Sequence, residues 1–358
     1  MTTAWSDHPE RYREAEIKRI LRATAAGDCV AVVGLSGAGK SNLFGFMAQR
    51  SAVPGQRLVV IDCNQLATPD RSGLLCAIIT ALGGASGDGD PFEAARATVH
   101  AALGKSDKLV LLLDRMDALP LFDAASTSEG RAILSTLRAL RDRFKFALTL
   151  VTASRQLLPK DNELAELFFA NTLWLGPLND ADARWNITRF AQRRGEHWDA
   201  EVVQAILRVS GGYAGFLKAV CEAVASGCAL DALASHEAVR ARVDEFWRDA
   251  PSADELLRSG LAGHPLLQRD RLSVFDTSAL TAKEHLLLKY LQTHPNQVCE
   301  KDELIRAVWS EDKAFVKGIR DDSLAQLVRR LREKIEADPS NPTHIIAVPG
   351  RGYRFATS

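Results

Sequence analysis

Residues 34–41 read GLSGAGKS, and their spacing fits the phosphate-binding pattern of a strand-to-helix turn. Glycines at 34, 37 and 39 let backbone N–H groups turn inward around a β-phosphate, Lys40 reaches the β and γ oxygens, and Ser41 is placed for Mg²⁺. Ser36, Ala38 and Asn42 complete the stretch expected to touch the nucleotide. Such a site needs a carboxylate near the metal, and LVLLLDRMD supplies Asp114 at the end of a very apolar run and Asp117 three residues on. Asp114 is expected in the Mg²⁺ shell together with Ser41. Asp117 either orients the attacking water or caps a short turn. LVTASR delivers Ser154 and Arg155 at another strand end, where a guanidinium can sense a γ-phosphate or simply be a solvated arginine after a strand. AILSTLRALRDRF carries Arg138, Arg141 and Arg143 near a helix C-terminus. Any of them is a candidate to reach a neighbouring subunit's nucleotide, and all three also suit a solvated face favoured by the helix dipole.

A second chemistry lies near the other end. Along DSLAQLVRRLREKIE, Leu324, Leu327, Val328, Leu331 and Ile335 share one face at 3.6-residue spacing, leaving Ser323, Gln326, Arg329 and Arg330 pointing away. An amide and two guanidiniums on an exposed face suit base edges and phosphates in a DNA major groove. Taken alone, the same helix reads better as a solvated basic surface. HIIAVPGRGYRF follows as a hairpin, with Gly350 and Gly352 in the turn and Arg351, Tyr353 and Arg354 decorating it.

The elements that must position these residues are legible as well. Apolar runs recur at 29–34, 57–62, 108–114, 146–154 and 171–176, separated by amphipathic segments. Strand and helix in alternation predict a parallel sheet covered on both faces, with ligands at the carboxyl ends of the strands. Residues 179–262 show helical periodicity without strands and predict a helical lid, with Trp185, Phe190, Phe216 and Trp247 as core residues. The pattern resets after a linker at 263–275. LTAKEHLLLKYLQTHP opens with Thr281 three residues before Glu284, a capping box ahead of a helix carrying Leu286, Leu287, Tyr290 and Leu291. KDELIRAVW is a second helix, and the basic helix above is the third. The expectation is an α/β phosphate-loop domain over 1–178, the lid over 179–262 and an α+β domain over 276–358.

Composition sets bounds rather than choices. A chain of 358 residues suits two or three domains. Lys plus Arg and Asp plus Glu balance at 45 each, so a nucleic-acid contact has to be a local patch rather than a bulk field. The six cysteines form no CxxC pair and read as reduced thiols. The charged, helical N-terminus lacks the apolar core of a signal peptide, and no run approaches the roughly 18 apolar residues of a membrane span. A cytoplasmic protein that touches no membrane is expected.

From about residue 10 to 260 the chain resembles the STAND branch of AAA+-related P-loop ATPases, through REAEIKRIL, GLSGAGKS, DRMD and TASR in that order. The spacing of Asp114 and Asp117 is similar to the modified Walker B of NACHT modules. SGGYAGFLKAV resembles the family's GGxP lid segment, with Ala214 where the family has proline. The classical Asp–Glu pair of AAA+ proteins is missing, which implies slow turnover of ATP. Residues 276–356 resemble an OmpR-type winged helix through LTAKE, KDELIRAVW, LVRRLREKIEADPSNP and VPGRGYRF. Gln326 and Leu327 stand where that family commonly has valine and histidine, and the ATPase region takes the place of its usual receiver. The resemblance implies that the helix around 322–336 enters the major groove while the 345–354 hairpin touches backbone or minor groove. Together the two imply an ATP- and Mg²⁺-controlled transcription regulator that binds double-stranded DNA and assembles with itself when nucleotide is bound. A DNA-remodelling ATPase of initiator or transposition type and a defence-type STAND sensor stay open beside it.

Overall fold

A computed structural model describes residue 5 and residues 7–51, 53–85, 89–122, 128–158, 164–268, 280–294, 296–309, 321–336 and 338–356. The chain divides into two compact units, Met1–Leu267 and Gln268–Ser358.

The first unit is built on five parallel strands: β1 (Val30–Val33), β2 (Gln56–Asp62), β3 (Lys108–Asp114), β4 (Leu148–Ser154) and β5 (Thr172–Trp174). Their spatial order is β2-β3-β4-β1-β5, and every pair is parallel. The strands are near-continuous apolar runs because both faces are covered. Val30, Val32, Val110 and Leu112 pack into one layer, with α1 (Glu14–Ala26), α2 (Lys40–Arg50) and the lid. Ala31, Val33, Leu111 and Leu113 pack into the other, with α3 (Arg71–Ala81), α4 (Pro91–Leu103) and α5 (Ser128–Phe144). Each of the wholly buried leucines contributes about 1.5–3 kcal/mol by leaving water, which fixes the sheet as the frame for its loops.

The strand order decides the chemistry. β4 pairs with both β1 and β3, in the registers Val33↔Ser154 and Leu113↔Thr152. The carboxyl ends of β1, β4 and β3 therefore lie side by side, bringing together segments 34–41, 154–155 and 114–117.

The lid comprises α6 (Asp180–Arg193), α7 (Ala200–Ser210), α8 (Ala214–Ala225), α9 (Glu237–Arg248) and α10 (Ala253–Arg258). Asn179 and Asp199 cap α6 and α7 by accepting backbone N–H bonds of 2.8 and 2.9 Å. Of the four aromatics expected in the core only Phe216 is fully buried; Trp185 instead lies half-exposed, tilted against His8 and edge-on to Tyr12. Phe246, next to Trp247, fills the position deeper in the lid.

The linker expected to start at 263 starts later. His264 is buried, its Nε2–H donating to the Ser210 carbonyl at 2.8 Å, and Leu266, in α11 (Pro265–Gln268), joins the first core. A histidine and a leucine with a single proline between them carry too little periodicity to be read as core. Residues 269–275 of that expected linker lie outside the described residues.

In the second unit α12 (Ala282–Thr293), α13 (Lys301–Trp309) and α14 (Asp321–Ile335) surround one core, flanked by an antiparallel sheet in the order β6 (Val298–Glu300), β8 (Gly352–Phe355), β7 (Ile345–Val348). The Thr281–Glu284 capping box is present. The buried face of α12 is Leu287, Leu288 and Leu291, whereas Leu286 is exposed. Gly350 supplies the left-handed turn residue with φ 73°. Gly352 is not in the turn. It opens β8, where a Cβ would meet the Cys299 carbonyl oxygen at 2.0 Å, so close strand approach rather than turning requires glycine there.

Candidate functional site

The loop between β1 and α2 has no side-chain cap at the helix N-terminus, and Gly37 and Gly39 take φ 86° and 92°. The first-turn N–H groups of α2 thus stay free of protein side chains, the arrangement that receives an anion. A cavity of about 790 Å³ opens over it, lined among others by Ser36, Gly37, Gly39, Lys40, Ser41, Asn42, Asp117 and Arg155. Gly34 and Ala38 lie behind that lining. Gly34 donates its N–H to the Ser154 carbonyl at 3.1 Å, tying the loop to β4, and Ala38 is buried. Lys40 folds back to donate to the Gly34 carbonyl. Burial pushes its ammonium down to about 8, against the pull of Asp117 and Asp114. A half-buried cation held by a carbonyl is matched to an incoming anion.

Asp114 is buried at the end of β3 and accepts a hydrogen bond from the Ser41 hydroxyl. Burial raises its pKa, with Asp62 adding to the rise and the Ser41 bond opposing it. A hydroxyl and a carboxylate oxygen side by side are hard oxygen donors of the kind Mg²⁺ takes along with several waters. Arg115, not singled out from the sequence, adopts φ 55° and reaches Ser41 Oγ at 3.4 Å and Asp62 at 3.7 Å. Its position between the two acids of DRMD was the available signal.

Asp117 does not cap its turn. It accepts the backbone N–H of Arg155 on both oxygens, at 2.9 and 3.0 Å, and so joins the ends of β3 and β4. The Arg155 guanidinium lies 3.8 Å from Asp117 through Nε and pairs with Asp249 through Nη1.

The lid rests directly on the loop. The Tyr213 hydroxyl lies 3.0 and 2.9 Å from the Leu35 and Ser36 carbonyls, and Gly215 donates its N–H to the Gly37 carbonyl at 2.9 Å. Arg242 on α9 reaches Ser36 Oγ at 3.4 Å, passing over Gly215, where a Cβ would lie 2.9 Å from its guanidinium. Ala214, which stands where the resembled family has proline, is the first residue of α8 and borders the cavity. From below, Arg13, with φ 47° and a fully buried side chain, donates to the carbonyls of Ala38 at 2.9 Å and Gly176 at 3.1 Å, while its N–H donates to Asp182. Neither Arg13 nor Arg242 carried a sequence signal, because each acts across more than twenty residues of chain.

The trio on α5 separates. Arg141 is buried and donates to the Gly27 carbonyl at 2.8 Å, so it cannot reach a neighbouring subunit. Its helical phase faces the core, where Gly27, the C-cap of α1, provides its acceptor. Arg138 pairs with Asp142 and Glu166, and Arg143 is exposed.

On α14 the five apolar residues are buried as one face, and Ser323, Gln326, Arg329 and Arg330 are exposed. Arg329 pairs with Glu333 at 3.1 Å, an exposed pair worth at most about 0.5 kcal/mol that competing phosphate contacts can displace. Arg351 and Arg354 are exposed on the hairpin, and Tyr353 is half-buried against the core. Arg332 bonds the Ile345 carbonyl, and Glu336 accepts the N–H groups of Thr343, His344 and Ile345, so two residues without an obvious role in the sequence fix the hairpin to α14.

A glycine loop between a parallel strand and a helix, an acidic strand end beside it and a helical lid upon it define a P-loop NTPase; three helices with a wing define the winged-helix class. The chain belongs to the Novel STAND NTPase 1 family, which matches residues 10–223. Residues 276–355 match the C-terminal domain of transcriptional regulatory proteins. An NTPase domain is thus fused to a regulatory domain of the DNA-binding type. Among curated relatives, the sensory transduction protein RegX3 of Mycobacterium tuberculosis is 39% identical over 108 residues, 30% of this chain and 45% of that protein. The transcriptional regulatory protein YvrH of Bacillus subtilis is 42% identical over 77 residues, 22% of this chain and 31% of that protein. The chain spans less than half the length of either. Similar solved structures include the Walker-type ATPase PABY2304 of Pyrococcus abyssi, at TM-score 0.46 and 15% identity over 96% of this chain and 92% of that one. The ORC2 protein of Aeropyrum pernix gives TM-score 0.47 and 15% identity over 96% and 88%. Among the described residues no helix is long and apolar enough to cross a membrane.

Proposed function

We propose that the protein is a nucleotide-controlled transcription regulator, in which ATP with Mg²⁺ at the loop 34–41 sets the lid and thereby the DNA affinity of the winged helix. One observation carries this reading. Lid residues Tyr213, Gly215 and Arg242 bond directly to Leu35, Ser36 and Gly37, so whatever occupies the loop is felt by the lid.

In this reading the N–H groups of residues 37–42 and the Lys40 ammonium hold the phosphates. Lys40 exchanges the Gly34 carbonyl for a phosphate oxygen, recovering the charge stabilisation that burial withholds. Ser41 and Asp114 would hold Mg²⁺, which supplies charge neutralisation between phosphate oxygens when bound. Asp117, anchored by the Arg155 backbone, keeps one face toward the cavity to orient water. Hydrolysis is slow because no second carboxylate follows Asp114 directly, and it resets the state rather than driving work. In the winged helix Gln326, Arg329 and Arg330 read or position the major groove from α14. Ser323 and the hairpin's Arg351, Tyr353 and Arg354 add backbone contacts. A single such module on a near-neutral chain binds weakly, and assembly of several copies along DNA supplies the rest by avidity.

The test is DNA affinity of the full chain by fluorescence anisotropy with a non-hydrolysable ATP analogue, with ADP and without nucleotide, each with Mg²⁺ and at fixed salt. Affinity is expected to rise with the triphosphate alone, and Arg330→Ala to lower it by about 1–3 kcal/mol without changing nucleotide binding. Equal DNA affinity in all three states would leave two independent modules. Strong turnover that DNA stimulates would move the reading toward a remodelling ATPase.

A further inference from the structure

Arg155 is held from two sides. Its backbone and Nε meet Asp117, which follows β3 in the sheet, while its Nη1 meets Asp249, the residue closing the C-terminus of the lid helix α9. Asp249 depends on that contact. Its side chain is only 18% exposed, and its second carboxylate oxygen is buried with no hydrogen-bond partner. A carboxylate so placed is costly to keep charged without its cation. Among the described residues the other lid hydrogen bonds to the loop are made by a neutral group or to a neutral atom: the Tyr213 hydroxyl and the Gly215 N–H to carbonyls, and Arg242 to the Ser36 hydroxyl. The two neutral contacts have no reason to distinguish one phosphate chain length from another, and Arg242, already paired with Glu245, meets the loop at Ser36 rather than at the strand ends where Arg155 stands. The Arg155–Asp249 pair has such a reason, because a second anion near Arg155 competes for the same guanidinium. Arg155 borders the cavity together with Lys40 and Asp117 and is 46% exposed, so an anion can approach it.

We propose that Asp249 is a resident anion that competes with the terminal phosphate of a nucleoside triphosphate for Arg155, so that this end of the lid discriminates triphosphate from diphosphate. The inference rests on the nucleotide reading above. With a diphosphate, Arg155 stays on Asp249 and α9 stays joined to β4. With a triphosphate, the guanidinium leaves Asp249, whose buried charge loses its partner, and the end of α9 moves toward water. Asp249 is a positioning residue: it acts through Arg155 and sets which nucleotide the lid rewards.

The experiment uses the full chain, titrated calorimetrically with adenylyl-imidodiphosphate and with ADP, each with Mg²⁺, and followed in parallel by amide hydrogen exchange of residues 237–250. Asp249→Asn is expected to raise affinity for the triphosphate analogue about tenfold and for ADP less than twofold, the size of a typical coupling between two ligands. In an Arg155→Ala background the same substitution changes neither affinity. Exchange in α9 is expected to be faster in the wild-type chain with the triphosphate than with ADP, and fast with either in Asp249→Asn. Asp249→Ser is measured alongside, and the wild-type exchange arm stands even if neither variant folds. Equal shifts of both affinities, or α9 exchange that does not distinguish the nucleotides, overturns the competition while leaving the nucleotide site intact. A wild-type chain that binds neither nucleotide overturns both.

Discussion

Lys40 is the residue at which stability and binding oppose each other most plainly. Burial in the loop holds its ammonium near a pKa of about 8, below its usual 10.5. Between those values the native chain binds fewer protons than the unfolded one, so stability rises as pH goes from about 8 to 10.5. Below pH 8 the penalty is present in full. It amounts to about 3 kcal/mol at most, lessened by water in the open cavity. Lys40→Met removes the charge and keeps the stem. The nucleotide-free variant is expected to melt a few degrees higher at pH 7, to lose that advantage near pH 10, and to show no further rise with Mg²⁺ and nucleotide. Calorimetric melts of both chains at the two pH values, with and without nucleotide, check this; a variant that melts lower at pH 7 would mean that the bond to Gly34 outweighs the desolvation. Asp114 faces the same conflict with the opposite charge, since burial raises its pKa. Its charged form is the one burial disfavours at neutral pH, so Asp114→Asn is expected to stabilise the nucleotide-free chain while weakening Mg²⁺-dependent binding.

Among the elements, the hairpin of the winged helix shows what one buried carboxylate organises. Burial works against the charge on Glu336, but the N–H groups of Ile345, Thr343 and His344, together with the His344 ring, outweigh it and hold the pKa at about 2. Since the unfolded value is higher, this stabilisation is complete above about pH 4.5 and is lost as the pH falls toward 2. Glu336→Gln is expected to cost roughly 2–3 kcal/mol near neutrality, where one carboxylate serves several donors, and to speed amide exchange in residues 343–355 while leaving the P-loop amides unchanged. The same elements show what a sequence conveys. Strands β1 to β5, the capping box at Thr281 and the apolar face of α14 were legible because each is written in consecutive residues or at a fixed period. So was the loop, because its chemistry is local. What stayed hidden spans distance: Arg13 under Ala38, Arg242 over Gly37, Asp249 on Arg155 and Glu336 on the hairpin join residues from 7 to 206 positions apart. Arg141 misled for a related reason. Three arginines in six residues look alike until the helix phase turns one of them into the core. Gly352 looked like a turn residue because the strand that requires its bare Cα, β6, lies more than fifty positions away.

At the scale of the whole molecule, the two units are each complete in their own cores, so any influence of one on the other is a coupling free energy and has to be reciprocal. If nucleotide raises DNA affinity by some factor, DNA raises nucleotide affinity by the same factor, whatever the route of transmission. Values of fivefold to about a hundredfold are the usual range. The expected result is a square that closes: the gain in DNA affinity on adding adenylyl-imidodiphosphate equals the gain in analogue affinity on adding a saturating specific duplex, measured with the same Mg²⁺ and salt. Salt matters because, in the proposed reading, basic contacts of α14 and the hairpin with DNA would release counterions, so the DNA arm is expected to fall more steeply with ionic strength than the nucleotide arm. Assembly adds a second signature. If several chains engage one duplex, the gain grows with the number of sites on the DNA and vanishes on a duplex holding a single site. Lys40→Ala is expected to bind the single-site duplex as the wild-type chain does without nucleotide, and to show no gain on the longer one. Mass photometry on both duplexes, with and without the analogue, reads copies bound directly; a gain that is the same on one site and on several would place the coupling within a single chain rather than between chains.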